Sequence, residues 1–204
     1  MGKGGRWEDH FTRRAKKENW RARSVYKLEE IDRRFKVFRP GYRVLDLGAF
    51  PGSWSQYSLK RVGAKGDVVG IDLKEPEHLE APNFTFILAD ILTLAPGDLK
   101  QAIGPRDIVI SDLAPRTTGI RVTDESRSLT LAVKALEIAL AILRPKGNFL
   151  CKVFEGENLR SFKEELARGF KMVRAIRPSA VRKRSREIYL LGLERLDPQD
   201  PLER

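Results

Sequence analysis

A chain of 204 residues with 41% hydrophobic and 33% charged side chains is long enough for one well-filled domain and short for two. Its apolar runs stay well below the roughly 20 residues of a bilayer helix, and its charged N-terminus has no signal core, so the reading is an untargeted, cytoplasmic protein with no membrane segment. One cysteine (Cys151) and two distant histidines (His10 and His78) exclude an internal disulfide and a zinc site and give no reason to expect any metal, whereas the net charge of +11 calls for a polyanionic partner.

That charge is unevenly placed. Residues 1–39 carry a net +7 and residues 160–186 a net +8, which leaves −4 for the rest. Solvated faces of a heat-adapted protein are the plain alternative to nucleic-acid patches for such runs. The first twenty-odd residues show no clear period and interleave Trp7, Phe11 and Trp20 with Arg and Lys, as in an arm (1–23) that is disordered alone or packs back on the domain. Ser24 is placed to cap a helix through Val25, Leu28, Ile31 and Phe35, whose spacing gives one apolar face, and Pro40-Gly41 ends it. Strands are then expected at 43–48, 67–73, 84–90 and 107–113, with helices near Trp54–Val62 and Leu99. A long helix from about Asp124 to Leu143 precedes a turn at Pro145-Lys146-Gly147, a strand at 148–154 and a helix capped by Asn158. Two further strand patterns, FKMVRAI and EIYLLGLER, are joined by a basic loop with no room for a helix and should be antiparallel neighbours. Strands alternating with helices imply an α/β domain (24–196) with a mostly parallel sheet and right-handed crossovers, followed by a flexible tail (197–204).

The segment VLDLGAFPG puts an acid, Asp46, on the first strand and Gly48 and Gly52 in the turn after it. Glycines there let a ligand approach the backbone, and the next helix offers its free N–H groups. Asp72 ends the second strand, where a carboxylate can accept both hydroxyls of an adenosine ribose. The dinucleotide pattern G-x-G-x-x-G is absent, and Pro51 and Trp54 stand in its way; a cofactor without a pyrophosphate, S-adenosylmethionine, fits better. Asp90 ends the third strand and serves equally as a partner for an adenine amino group or as a helix cap.

Asp112 closes the fourth strand at the sheet edge where open α/β folds hold ligands. Lys152 lies inside the apolar run CKVF, and an ammonium buried there needs a carboxylate, for which Asp112 and Glu187 are the candidates. A structural salt bridge is the other explanation of that set.

The motifs VLDLGAFPGSWSQ, SDLAP, CKVF and SREIYL, with SVYKLEEID upstream, resemble the RrmJ/FtsJ family of ribose 2′-O-methyltransferases over about residues 21–195. The resemblance implies a Rossmann-like, class I methyltransferase fold with seven strands and an antiparallel C-terminal hairpin. It implies a Lys-Asp-Lys-Glu tetrad at Lys27, Asp112, Lys152 and Glu187, and S-adenosyl-L-methionine contacts at Gly48, Gly52, Trp54, Asp72, Asp90 and Asp112. Many members have two glycines before the tryptophan where this chain has Gly52-Ser53, a change that still permits a helix start. The implied partner is RNA, a uridine of large-subunit (23S) ribosomal RNA first and transfer RNA second, bound by a monomer. Phosphate contacts are expected from Arg13, Arg14, Lys16, Lys17, Arg21 and Arg23 and from Arg182, Lys183, Arg184 and Arg186, with Trp7 or Trp20 either stacking on a base or packing. A nicotinamide oxidoreductase leaves the basic ends unexplained, and a non-catalytic RNA-binding protein leaves the tetrad unexplained. A methyltransferase for proteins or small molecules has no need of such charged ends.

Overall fold

The computed structural model describes residues 10–76, 79–182 and 184–197. Trp7, His78, Lys183 and the tail beyond Asp197 lie outside the described residues. Seven strands form one sheet: β1 (Arg43–Leu47), β2 (Asp67–Asp72), β3 (Phe84–Leu88), β4 (Arg106–Ser111), β5 (Leu143–Phe154), β6 (Phe170–Ile176) and β7 (Glu187–Arg195). Their order across the sheet is β3-β2-β1-β4-β5-β7-β6. The chain therefore winds outward from β1 in one direction and from β4 in the other, and the crevice between the C-terminal ends of β1 and β4 is the switch point of a Rossmann-like fold. Of the seven strands β7 alone runs against the rest, because it slots between β5 and β6 and pairs antiparallel with both.

Alternation along the central strands sorts side chains onto two faces. Leu45, Leu47, Val109, Phe149, Cys151 and Leu190 pack under α5 (Arg121–Ile142) and α6 (Leu159–Gly169). Val44, Ile108, Ile110, Leu150, Tyr189 and Leu191 pack under α2 (Val25–Phe35) and α3 (Ser53–Val62). Asp46 and Lys152 alternate onto that second face, and both are buried. Asp32 pins the two helices together: its carboxylate accepts from Tyr57 Oη (2.8 Å) and pairs with Arg61 (2.8 Å).

Several expectations need correction. Of the two readings of the N-terminal arm, packing back on the domain holds for residues 10–17, and what the missing period did not show is that they form a helix, α1 (His10–Lys17), packed through Phe11 and Ala15, one helical turn apart. Trp20 packs against Tyr57 and donates Nε1–H to Glu18 (3.1 Å), so packing accounts for it. Ser24 and Asn158 precede their helices without capping them through their side chains. The Ser24 hydroxyl instead bonds Ser53 Oγ at 2.9 Å. Pro145-Lys146-Gly147 does not delay β5 but lies within it as an irregularity: Leu143 pairs with Arg106 and the ladder resumes at Asn148 with Ile108. α5 begins at Arg121, earlier than its apolar pattern suggests, after a loop tied down by Asp124, which accepts from Thr118 N–H (2.7 Å), Thr118 Oγ1 (2.9 Å) and Gly119 N–H (3.2 Å). The helix near Leu99 is α4 (Pro96–Ile103), preceded by an unforeseen 3-10 turn at Ile91–Thr93.

At the opposite end of the sheet Arg106 is 2% exposed, with its guanidinium paired to Asp67, which also holds Arg43 at 2.7 Å. Burial lowers the Arg106 pKa, a trend that its hydrogen bond with Asp67 opposes. Removing one partner of such a pair strands a buried charge. Asp67→Ala is expected to lower the unfolding free energy by about 3–5 kcal/mol in urea titrations.

Candidate active site

The turn after β1 is shaped by two glycines for separate reasons. Gly48 has φ +83°, and a Cβ there would press on the Leu113 backbone at 3.1 Å. Gly52 has φ +103°, and a Cβ there would meet Arg21 Cδ at 2.8 Å. Between them the backbone passes over Asp72, whose Oδ2 accepts Phe50 N–H at 3.0 Å while Oδ1 accepts Lys74 N–H at 3.2 Å. Gly48, Asp72, Asp90, Asp112, Leu113 and Leu131 border a cleft of about 250 Å3 at the switch point. Asp90 caps the 3-10 turn, its Oδ1 accepting Leu92 N–H at 3.0 Å, and it also lines the cleft. A carboxylate engaged once keeps capacity for further donors. Three carboxylates around an apolar floor suit a nucleoside that carries positive charge and disfavour a pyrophosphate.

Trp54 is placed differently from the other cleft candidates. Its side chain is 2% exposed and lies beneath the site, donating Nε1–H to the Ser24 carbonyl (3.0 Å) with its ring 5.8 Å from that of Tyr189. Gly52, likewise, borders the helix start rather than the cleft wall.

The four tetrad candidates come together as two ion pairs. Lys152 Nζ donates to the Asp112 carbonyl (2.7 Å) and stands 3.1 Å from its Oδ1. Lys27 Nζ stands 2.6 Å from Glu187 Oε1. Antiparallel register explains the meeting: Lys152 lies opposite Tyr189 and Phe154 opposite Glu187, and directly paired residues share a face. Tyr189 joins the pairs, because its hydroxyl donates to Asp112 Oδ1 (2.7 Å) while Lys27 Nζ lies 5.7 Å from its ring centroid. Burial, and the nearby carboxylate of Asp112, push the Tyr189 phenol well above its ordinary pKa and keep it a donor. The sequence reading had not singled out Tyr189; its place two residues after Glu187 on one strand was the available signal.

A second cleft, of about 470 Å3, is bordered by Arg23, Lys27, Arg182, Arg184 and Glu187. The two basic segments, far apart in sequence, thus converge beside the tetrad. Not every basic candidate faces it. Arg14 pairs with Glu18 (2.7 Å) and Glu29 (3.8 Å), and Arg186 turns away to Glu125. Among the described residues no group of three or more His, Cys, Asp or Glu is placed to hold a metal ion, and no helix is long and apolar enough to cross a membrane.

Comparison with known proteins agrees with this geometry. Residues 20–195 match the FtsJ-like methyltransferase family. The ribosomal RNA large subunit methyltransferase E of Bdellovibrio bacteriovorus is 48% identical over 190 residues, 92% of this chain and 96% of the relative. Its namesake in Syntrophobacter fumaroxidans is 46% identical over 187 residues, 91% and 94% of the two chains. Among solved structures, a Plasmodium falciparum protein described as a ribosomal RNA methyltransferase superposes with a TM-score of 0.77 at 28% identity, covering 87% of this chain and 99% of that one.

Beneath the site Asp46 is fully buried, accepting from Ser55 Oγ at 2.6 Å, with its Oδ1 unpartnered among the described residues. Burial raises its pKa to about 7, against the Ser55 hydrogen bond and with help from the charges of Asp112 and Asp72. The folded protein therefore holds this proton more tightly than the unfolded chain, so the contribution of Asp46 falls as pH rises from about 4 to about 7. Asp46→Asn, which cannot ionise, is expected to gain stability relative to the parent across that window. Parallel denaturation curves at pH 5 and 8 with equal differences between the two proteins would contradict this.

Proposed function

The chain belongs to the FtsJ-like methyltransferase family, and we propose that it transfers a methyl group from S-adenosyl-L-methionine to a ribose 2′-hydroxyl of RNA, a uridine of large-subunit (23S) ribosomal RNA. The observation that carries this reading is the position of the two lysine–carboxylate pairs between an acid-lined cleft and an arginine-lined one. The residues present fit the cofactor: a sulfonium cation is favoured where Asp72, Asp90 and Asp112 converge, and Gly48, with no side chain, lets its backbone lie against Leu113 at the cleft wall. Asp72 and Asp90 would hold the ribose and the adenine, with Asp112 toward the reacting end. When bound, S-adenosylmethionine supplies an electrophilic methyl group.

The chain's own task is then to present a poor nucleophile correctly. A 2′-hydroxyl is held beside Lys152, which Asp112 grips at two points; acting as a base, Lys152 enters the step as the neutral amine, takes the hydroxyl proton and leaves it as the ammonium that Asp112 balances. Tyr189 fixes the Asp112 carboxylate, and Glu187 fixes Lys27, whose charge offsets the developing oxyanion or a phosphate. Arg23, Arg182 and Arg184 lead the RNA backbone to that point. The high identity to proteins named for large-subunit ribosomal RNA favours that substrate over transfer RNA.

Purified protein, tritiated S-adenosylmethionine and, separately, unmethylated ribosomes, naked ribosomal RNA and bulk tRNA test the reading directly. Label is expected in ribosomes or ribosomal RNA, lost about 10²–10⁴-fold in Lys152→Ala with cofactor affinity intact. Label in tRNA alone would move the substrate, and label in no RNA would overturn the proposal. A base role for Lys152 predicts an inflection in the pH–rate profile that Lys152→Arg abolishes; a flat profile leaves it an electrostatic role. RNA affinity is expected to fall steeply with salt, and Arg182→Ala and Arg184→Ala should each reduce the logarithmic salt slope by about 1.

A further inference from the structure

A third cleft, of about 460 Å3, lies between the N-terminal turns of α5 and α6 and the end of β5. It is separate from the cofactor cleft: Val122, Glu125, Ser126 and Leu129 share the α5 face that lines it, whereas Leu131 lies on the face toward the cofactor. Its lining is of a different kind from that of the arginine cleft. Val122, Leu129, Val153, Phe154 and Leu159 make it mainly apolar. Its one lining cation, Arg121, is paired with Glu125 (2.7 Å), and Glu157 adds a second negative charge to the lining. Phosphate has nothing to gain there. Flat apolar groups do.

Building on the RNA reading above, we propose that this cleft is a nucleobase subsite, which takes an unpaired base next to the methylated ribose. Phe154 is the platform. It lies two residues beyond Lys152 on β5 and directly opposite Glu187 in the ladder, so the cleft that it lines adjoins the strand positions of two tetrad residues. The Arg186 guanidinium sits 5.9 Å from the ring centroid, fixed by Glu125, and closes one side. Ring and guanidinium planes are the surfaces on which unstacked bases are received. Asn158 heads α6 without capping it through its side chain, which leaves at the rim an amide that can both donate to and accept from a base edge. Val122, on the lining, is 75% exposed, an apolar side chain in water at a cleft that no segment of the described chain covers. The strand is thereby divided: phosphates follow the arginines on one side of Glu187 and the neighbouring base turns to the other.

The test uses the full chain and a 4-thiouridine-substituted transcript of large-subunit ribosomal RNA. Irradiation is expected to cross-link the peptide that carries Phe154 and Asn158. Val122→Glu, at an exposed position that does not threaten the fold, should reduce kcat/KM about tenfold, through KM, with cofactor affinity unchanged; Asn158→Ala should do so more weakly. Phe154→Leu should reduce both cross-linking and kcat/KM if it folds, and the two exposed variants decide the matter if it does not. A parent protein that methylates the transcript but cross-links elsewhere, with Val122→Glu within twofold of it, overturns the subsite and leaves the function standing. A parent that methylates no RNA overturns both.

Discussion

Two ammonium groups buried against the sheet set the terms for everything around them. Lys27 and Lys152 are 9% and 7% exposed, and neither can stay there without a carboxylate in contact. The fold supplies one to each from different elements: Asp112 from the end of β4 and Glu187 from the start of β7. A pair broken by removing either member would leave an uncompensated charge, so the site constrains the fold as much as the fold positions the site. That constraint also explains why β7 must lie between β5 and β6. A β7 at the sheet edge would carry Glu187 a strand further from β5, whereas the inserted strand puts it opposite Phe154, within 2.6 Å of Lys27.

The order of strands was largely legible because its signals are local. The strands β1, β2 and β4 are short apolar runs closed by glycine or an acid, and the helices between them show a one-sided apolar pattern. What escaped depended on distant partners. Whether Ser24 caps its helix is decided by Ser53 twenty-nine residues away. The early start of α5 follows from Asp124 gripping the preceding loop rather than from any apolar period. The ladder irregularity in β5 arises because Leu143 finds Arg106 before Asn148 finds Ile108, which a turn-forming Pro-Lys-Gly does not advertise.

The candidate site was legible in the same uneven way. Acids at strand ends and a lysine in an apolar strand are anomalies that composition alone exposes, and Asp72, Asp90, Asp112 and Lys152 stood out for that reason. Lys27 and Glu187 sit in charged surroundings where one more charge is unremarkable; Glu187 stood out only as a possible partner for Lys152, and Lys27 only through the family resemblance. Tyr189 was hidden because a tyrosine in a strand is ordinary core material. Its hydrogen bond to Asp112 becomes visible only once register places it opposite Lys152.

Gly52 connects the two halves of the site. Its place would be explained by the turn alone, since φ is +103°. Yet a Cβ there would strike Arg21, on the segment that leads into α2. That segment is fastened to α3 three more times: Arg21 N–H to Gln56 Oε1 (3.2 Å), Trp54 Nε1–H to the Ser24 carbonyl (3.0 Å), and Ser24 to Ser53 (2.9 Å). Lys27 follows Ser24 by three residues, within the first turn of α2. The glycine turn that shapes the cofactor cleft therefore also fixes where Lys27 stands relative to Glu187. A side chain at Gly52 would press on Arg21 and strain a backbone at φ +103°, so the glycine turn and the placing of Lys27 are linked through this segment.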